Sequence, residues 1–308
     1  MKAIIHIGTQ KTGTTTIQSF LMQNRAALIR QGIRYQPLSP RRTAQMELGL
    51  AGIVRAGGVL AVPNKQRALG VRGQASQAAF VDRFDDSLRE GVKTWPEQTY
   101  LASSEQIHAW LHTAERMQAM HQMLAKHFTQ VRYVVYYRAQ EEFMLSTYSE
   151  AIRRGEMSTL DQHIDAYLPH MNYHHRAMLW ASVVGRENLT VRLFAKDALR
   201  NGDLLDDFCD VTGIDRGPLS TPTRKNPSLS VEEIALARRL AQRLPAYLPT
   251  GHPNPVFRLA NAILRRKLPK PGTPVTLTQA QALRIREANA DANEKLRAEF
   301  FPDRETLF

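Results

Sequence analysis

The first sixteen residues constrain this chain more than any other stretch. Ala3 to Ile7 is a short apolar, β-branched run stopped by Gly8, the pattern of a buried strand. From Thr14 to Gln31 the apolar residues Ile17, Phe20, Leu21, Leu28 and Ile29 fall on one helical side,. Between them lies the loop TQKTG. A strand feeding a glycine loop that opens a helix offers an anion free backbone N–H groups and the positive end of the helix dipole. Gly8 and Gly13 allow a tight turn around a phosphate, and Lys11 brings a mobile cation. The amides of Thr12, Gly13, Thr14, Thr15 and Thr16, with the hydroxyls of the last three, complete a phosphate cradle.

The chain goes on alternating. Thr99 to Ser103 (TYLAS) is a second expected strand, with helical spacing from Glu105 to about Phe128. Val131 to Tyr137 (VRYVVYY) is the strongest strand pattern and is followed by a helix over Glu141 to Arg154. Leu189 to Phe194 precedes a helix around Leu204 to Thr212. Strands alternating with helices imply right-handed crossovers and a mostly parallel sheet covered on both faces. Residues 40–94 read as short helices and mobile loops without a strand. Past Pro218 comes the polar segment STPTRKNPSLS, and from Val231 only helical patterns broken by prolines. No internal repeat is visible. The expectation is one domain over 1–308, an α/β core at 1–220 with a helical C-terminal part at 228–308 packed on it.

Composition narrows the partners. Over 308 residues, 43% hydrophobic and 23% charged content describes an ordinary soluble globular protein. Lys and Arg outnumber Asp and Glu by 41 to 29, a net charge of +12, which favours an anionic partner: a phosphorylated cofactor, an acidic glycan, a nucleic acid or an anionic membrane. A single cysteine, Cys209, excludes an intrachain disulfide and reads as a half-buried helix position. The N-terminal apolar run is too short for a signal peptide, and no stretch approaches the ~18 apolar residues of a membrane span. A cytoplasmic location is expected.

The loop is not the nucleoside-triphosphate version, in which lysine directly follows the second glycine; here Thr14 follows Gly13 and Lys11 precedes it by two. K-x-G-T-T after a short strand resembles the 5′-phosphosulfate loop of sulfotransferases that use 3′-phosphoadenosine 5′-phosphosulfate (PAPS). VRYVVYYRAQEEFMLSTYSEAIRRG adds Arg138 at a strand end and Ser146 eight residues on, the pair that binds the cofactor's 3′-phosphate in that family. LTVRLFAKDALRNGDLLDDFCDVTGI is similar to the family's strand, acidic turn and helix. TRKNPSLS resembles the basic loop that closes over the nucleotide in bacterial and glycan sulfotransferases, which would give Arg224 and Lys225 a role in neutralising the 3′-phosphate. The resemblance covers 1–35 and 95–230, and implies a P-loop-like three-layer α/β fold of the bacterial, carbohydrate-type branch.

Sulfuryl transfer asks the protein mainly for positioning and charge stabilisation. In this reading Lys11 stabilises the leaving 5′-phosphate, the product is 3′,5′-ADP, and no metal is required. The adjacent His174 and His175 point apart on a helix and do not make a metal site. The acceptor hydroxyl needs a general base. Glu105 in YLASSEQIHAW directly follows the second strand and so projects from the carboxyl edge of the sheet, and related enzymes use a Glu or a His. His108, one turn on, is the alternative, and His6 is read as a satisfied core residue. Two rivals remain: a P-loop kinase using ATP and Mg²⁺, disfavoured by Thr14 and by the lack of a strand-end Asp, and a non-catalytic polyanion binder. The expected acceptor is a hydroxyl of a saccharide or glycolipid, not a nucleic acid. The stretch NPVFRLANAILRRKLPK, with Val256, Leu259, Ile263 and Leu264 on one side and Arg258, Arg265, Arg266 and Lys267 crowded near its end, is expected to dock an anionic acceptor or the inner membrane face.

Overall fold

The structure, a computed structural model, describes residues 1–38, 43–223, 229–248 and 252–308. These form two compact units, one of residues 1–138 and 174–223 closed by Phe308, the other of 139–173 and the described part of 229–307.

The first unit opens with strand β1 (Lys2–Ile7), helices α1 (Thr14–Gln23) and α2 (Arg25–Arg30) and strand β2 (Ile33–Tyr35). Three helices follow, α3 (Met46–Arg55), α4 (Pro63–Leu69) and α5 (Gly73–Thr94), before β3 (Thr99–Ser104), α6 (Glu105–Trp110), α7 (Ala114–Ala125) and β4 (Gln130–Tyr137). The second unit takes α8 (Gln140–Arg153) and α9 (Leu160–Tyr167). The chain then returns through α10 (Tyr173–Val184), β5 (Leu189–Leu193) and α11 (Leu204–Thr212). The second unit ends with α12 (Val231–Ala241), α13 (Pro255–Arg265) and α14 (Gln279–Phe300).

The five strands lie in the order β2-β3-β1-β4-β5, all parallel. Alternation sorts their side chains. Ile4 of β1, Leu101 of β3, and Val134 and Tyr136 of β4 form one apolar layer with Ile17, Phe20 and Leu21 of α1, Leu28 of α2, and Leu205, Phe208 and Cys209 of α11. On the other face, Tyr133 packs against Trp180 of α10 (5.5 Å between ring centres) and Tyr100 stacks on Phe128 (5.3 Å). Helices on both faces of a parallel sheet make the three-layer α/β architecture that the alternating pattern implied. Cys209 is fully buried rather than half-buried, and burial pushes its thiol up to about 12.

Several elements differ from expectation. Three-residue β2 has no strand pattern long enough to read. The Glu105–Phe128 and Thr14–Gln31 stretches each break into two helices, the second at Asn24, whose side-chain amide donates to the Phe20 carbonyl (2.8 Å). Residues 40–94 hold α5, a 22-residue helix with Gln77, Val81, Phe84 and Leu88 buried along one side. A buried carboxyl group ties α11 to the sheet on the side of α1: Asp207 of α11 accepts hydrogen bonds from Tyr136 (2.7 Å), Arg192 Nε (3.1 Å) and the Arg200 amide (3.1 Å). In the second unit Tyr148 and Ile152 of α8 pack with Ile234 and Ala237 of α12 and with Leu229.

Candidate functional site

In a parallel α/β sheet a crevice opens at the carboxyl ends of two neighbouring strands whose connections leave in opposite directions. Here those strands are β1 and β3: the chain leaves β1 toward the β2 edge and leaves β3 toward β4. The expected phosphate loop follows β1, and Glu105 follows β3.

Close packing joins the two. The Gly8 amide donates to the Ser104 carbonyl (3.0 Å). A β-carbon on Gly8 would lie 2.6 Å from Thr14 Cγ2 and 2.9 Å from the Glu105 amide nitrogen, so only glycine lets the loop pass the strand end this closely. Further along, Lys11 (φ 64°) and Gly13 (φ 77°) both adopt left-handed backbone. Such turns aim successive amides inward and make an anion-binding concavity. For Lys11 this conformation costs something that glycine avoids. At Gly13 a β-carbon would also strike Leu204, at 2.2 Å from Cδ2.

Helix α1 starts at this turn without a side-chain cap and with no acidic residue in its first turn. The Thr16 and Ile17 amides close on the Gly13 carbonyl (2.8 and 3.1 Å). Those of Thr14 and Thr15 precede the first closed turn, where a helix has no partner of its own to offer. The threonines divide. Thr12 and Thr14 are buried and donate to the Thr9 carbonyl (2.7 and 3.0 Å), so their protons brace the loop from within. Thr15 and Thr16 are exposed. Of the hydroxyls expected to meet a phosphate, that of Thr14 therefore serves the loop instead. The buried Thr9 hydroxyl has no hydrogen-bond partner.

Arg138, one residue past β4, reaches the same loop. Its Nη1 donates to the Lys11 carbonyl (3.1 Å), and its guanidinium lies over the Phe194 ring, 5.4 Å from the centre. Since Ile7 pairs with Val135, β4 runs two residues past the end of β1, which carries Arg138 out over the loop. Lys11, Gly13, Arg138 and Glu105 thus share one edge of one sheet. Ser146 lies in the second unit, half-buried on α8; its neighbour Thr147 bonds to His163 Nε2 (3.0 Å). Arg224 and Lys225 lie outside the described residues.

Glu105 and His108 have different surroundings. Glu105 is half-buried at the start of α6, and its Oε1 accepts from the Gln106 side-chain amide (3.1 Å). His108 is held down at about 3, first by burial and then by the positive charge of Arg176 and by His112. At neutral pH its imidazole is uncharged but a very weak base. Arg176 of α10 donates to the His108 carbonyl (2.6 Å) and to the Leu111 carbonyl. Burial lowers its own pKa, and its Nε is buried without a partner. Nothing in the sequence singled out Arg176, a lone arginine in a helix more than sixty residues from its partners.

Behind the loop is a buried polar layer. His6 Nδ1 bonds to Ser103 Oγ (2.8 Å), the Gln18 amide reaches the Ser103 carbonyl (3.4 Å), and the Ser103 amide donates to Gln45 Oε1 (3.0 Å). His6 is a core residue but only half satisfied, because Nε2 has no partner; burial holds its ring down at about 3. Among the described residues no three His, Cys, Asp or Glu side chains gather where they could hold a metal ion.

No protein-family model matches the chain, and no curated protein matches it in sequence. Among solved structures it is similar to a sulfotransferase from Alicyclobacillus acidocaldarius, at 16% identity and a TM-score of 0.44, over 83% of this chain and 98% of that one. It is also similar to the sulfotransferase domain of the Synechococcus PCC 7002 olefin synthase, at 14% identity and a TM-score of 0.42, over 94% of each chain.

Proposed function

We propose that this chain transfers a sulfuryl group from PAPS to a hydroxyl of an acceptor, a saccharide or glycolipid on the cytoplasmic side. The observation that carries this reading is the joining of three separate sequence segments at one sheet edge: the Arg138 guanidinium on the Lys11 carbonyl, and the Gly8 turn against the backbone of Glu105. The residues present fit a nucleotide phosphate. Two left-handed positions turn the loop, an uncapped helix start follows it, and two cations flank it. PAPS, when bound, supplies the activated sulfuryl group and a phosphate leaving group.

The chain's own residues do the rest. The amides of Thr14 and Thr15 and the Thr15 and Thr16 hydroxyls hold the 5′-phosphate, and Lys11 balances the charge that grows on it as transfer proceeds. Arg138 takes the 3′-phosphate with Ser146, the roles implied by the resemblance, and Arg224 and Lys225 add positive charge there. Glu105 accepts the acceptor hydroxyl's proton on its carboxylate. It is preferred to His108 on position: its backbone lies directly against the Gly8 turn, whereas His108 lies one turn further along α6,.

Two measurements on the full chain test this. In the presence of EDTA, 3′,5′-ADP should raise the melting temperature and AMP should not; stabilisation by ADP only when Mg²⁺ is added would favour the kinase reading. Glu105→Gln should keep 3′,5′-ADP binding while transfer of labelled sulfate from PAPS falls roughly 10²–10⁴-fold. Near-normal transfer by that variant would remove Glu105 from the mechanism.

A further inference from the structure

Helix α13 turns the wrong side to water. Asn254 caps it, its side chain accepting from the Val256 and Phe257 amides (3.0 and 3.5 Å). Phe257 is buried at 3% exposure, and Arg265 pairs with Glu233 of α12 (Nε to Oε1, 2.8 Å). These contacts fix which side faces inward. Val256, Leu259 and Ile263, three to four residues apart and so one above the next on a helix, are left 60%, 63% and 48% exposed. Leu264 adds to the edge of the stripe at 36%. A single exposed leucine needs no explanation; an aliphatic stripe on successive turns, kept in water, does.

The charges beside the stripe are of one sign. Arg258, Arg266, Lys267 and Lys270 are exposed and form no ion pair with a described residue. Arg265 was expected among the outward cations, but its guanidinium is used on Glu233. No acidic residue occurs from Pro253 to Thr278.

We propose that α13 lies in the interface of an anionic lipid bilayer, its aliphatic stripe among the acyl chains and its cations on the headgroups. A second copy of this chain is a poor occupant, because a two-fold contact sets each patch against itself and would bring these cations against their own kind. A protein partner is usually gripped through buried aromatic or arginine anchors, whereas this stripe is aliphatic and one helix wide. A helix of 11 residues, ~16 Å long at 1.5 Å per residue, can lie in an interface but cannot span it. Among the described residues, no helix is long and apolar enough to cross a membrane. The inference goes beyond the proposed reaction and holds whatever chemistry the sheet edge performs.

Co-sedimentation of the full chain with vesicles tests it, using phosphatidylcholine alone and an equimolar mixture with phosphatidylglycerol. The protein should pellet with the mixed vesicles and not the neutral ones, and added salt should weaken the association as the screening length falls below ~8 Å. Arg258→Gln, Arg266→Gln and Lys267→Gln together should lower the partition coefficient roughly a hundred-fold, about five-fold per cation. Leu259→Ser with Ile263→Ser, both on the surface, keeps every charge and should still cost roughly ten-fold or more. That second variant is the decisive arm, since a net charge of +12 can adsorb to anionic vesicles with no help from α13. Unchanged pelleting of the serine variant, equal pelleting with both lipids, or none with either would overturn the proposal. So would a concentration-dependent dimer in sedimentation equilibrium that the serine variant abolishes, for that would assign the stripe to a second copy.

Discussion

The helix starts at Gly13 in the first unit and at Ser230 in the second are built to opposite ends. At α12 the Ser230 hydroxyl accepts from the Glu233 amide (3.2 Å) and the Glu233 carboxylate accepts from the Ser230 amide (3.0 Å), a reciprocal capping box,. Glu232 adds a second carboxylate to that first turn and accepts from the Thr273 hydroxyl (2.6 Å). Helices α9 and α14 are closed by similar boxes at Thr159 and Thr278. Helix α1 has a left-handed glycine where its cap would be and no acid in its first turn. Three helix starts of the second unit, those of α9, α12 and α14, are thus satisfied from within by reciprocal side chains, and at α12 the two carboxylates also suit the dipole,. Helices α2, α4 and α5 of the first unit also begin without a side-chain cap or an early acid; α1 differs from them in carrying Lys11 in the loop that leads into it and the Arg138 guanidinium on that loop.

Closing the open start gives the largest expected effect. Thr15→Glu places a carboxylate in the first turn of α1, which should stabilise the helix by about 0.3–1 kcal/mol while repelling a bound phosphate. A like-charge clash costs several kcal/mol, so 3′,5′-ADP affinity should fall about 100-fold or more. A melting temperature that rises or holds as calorimetric binding disappears is the expected pair of results; binding that survives would show that the loop does not receive the phosphate.

A smaller loss follows from removing the strand-end cation. Arg138→Ala should weaken 3′,5′-ADP binding by about 1.5–3 kcal/mol, roughly 10- to 150-fold, and erase the preference for 3′,5′-ADP over AMP. Titration of both nucleotides against variant and parent separates this from general damage. Should the preference survive, Arg138 would be only a brace for the Lys11 carbonyl.

The smallest effect lies at the closed start. Hydrogen bonds from the Thr273 hydroxyl, and next from Ser230, lower Glu232 from 4.5 to about 2. A carboxylate lowered by folding contributes stability above its unfolded pKa and loses it as pH falls through the folded one. The melting temperature of Glu232→Gln should therefore lie below that of the parent above pH 4.5, and the gap should narrow toward pH 2. Because the carboxylate is exposed, solvent screening keeps the gap small. A constant gap across that window would mean that Glu232 acts through something other than its charge, and no change in 3′,5′-ADP affinity is expected.

What the sequence made legible was whatever is written in consecutive residues. The β1 run, the glycines at 8 and 13, Lys11 between them and Arg138 at the end of VRYVVYY all stand where their local patterns put them. The alternation of strand and helix carried the parallel sheet with it. What stayed hidden depends on contacts across the chain. Strand β2 is three residues long and exists because β3 offers it an edge. The inward turn of the Thr12 and Thr14 hydroxyls follows from where the Thr9 carbonyl sits. That the His108 pKa is lowered, by burial and by Arg176 from a later helix, cannot be read from YLASSEQIHAW. The outward cations of α13 could be named from spacing, but only the position of Glu233 decides that Arg265 is not among them.

Gly8 has a consequence for how this sheet edge tolerates change. The backbone of the loop and the first residue of α6 are separated by less than the room a methyl group needs. The gap between Lys11's loop and Glu105 is thus set by main chain against main chain, like a fixed gauge, and no side chain can widen it by degrees. An alanine at position 8 would press on the Thr14 methyl and on the Glu105 backbone together, so either the start of α1 or the start of α6 would have to give way. Variation in what the edge accepts has to come from the side chains around the gap, because its width allows none.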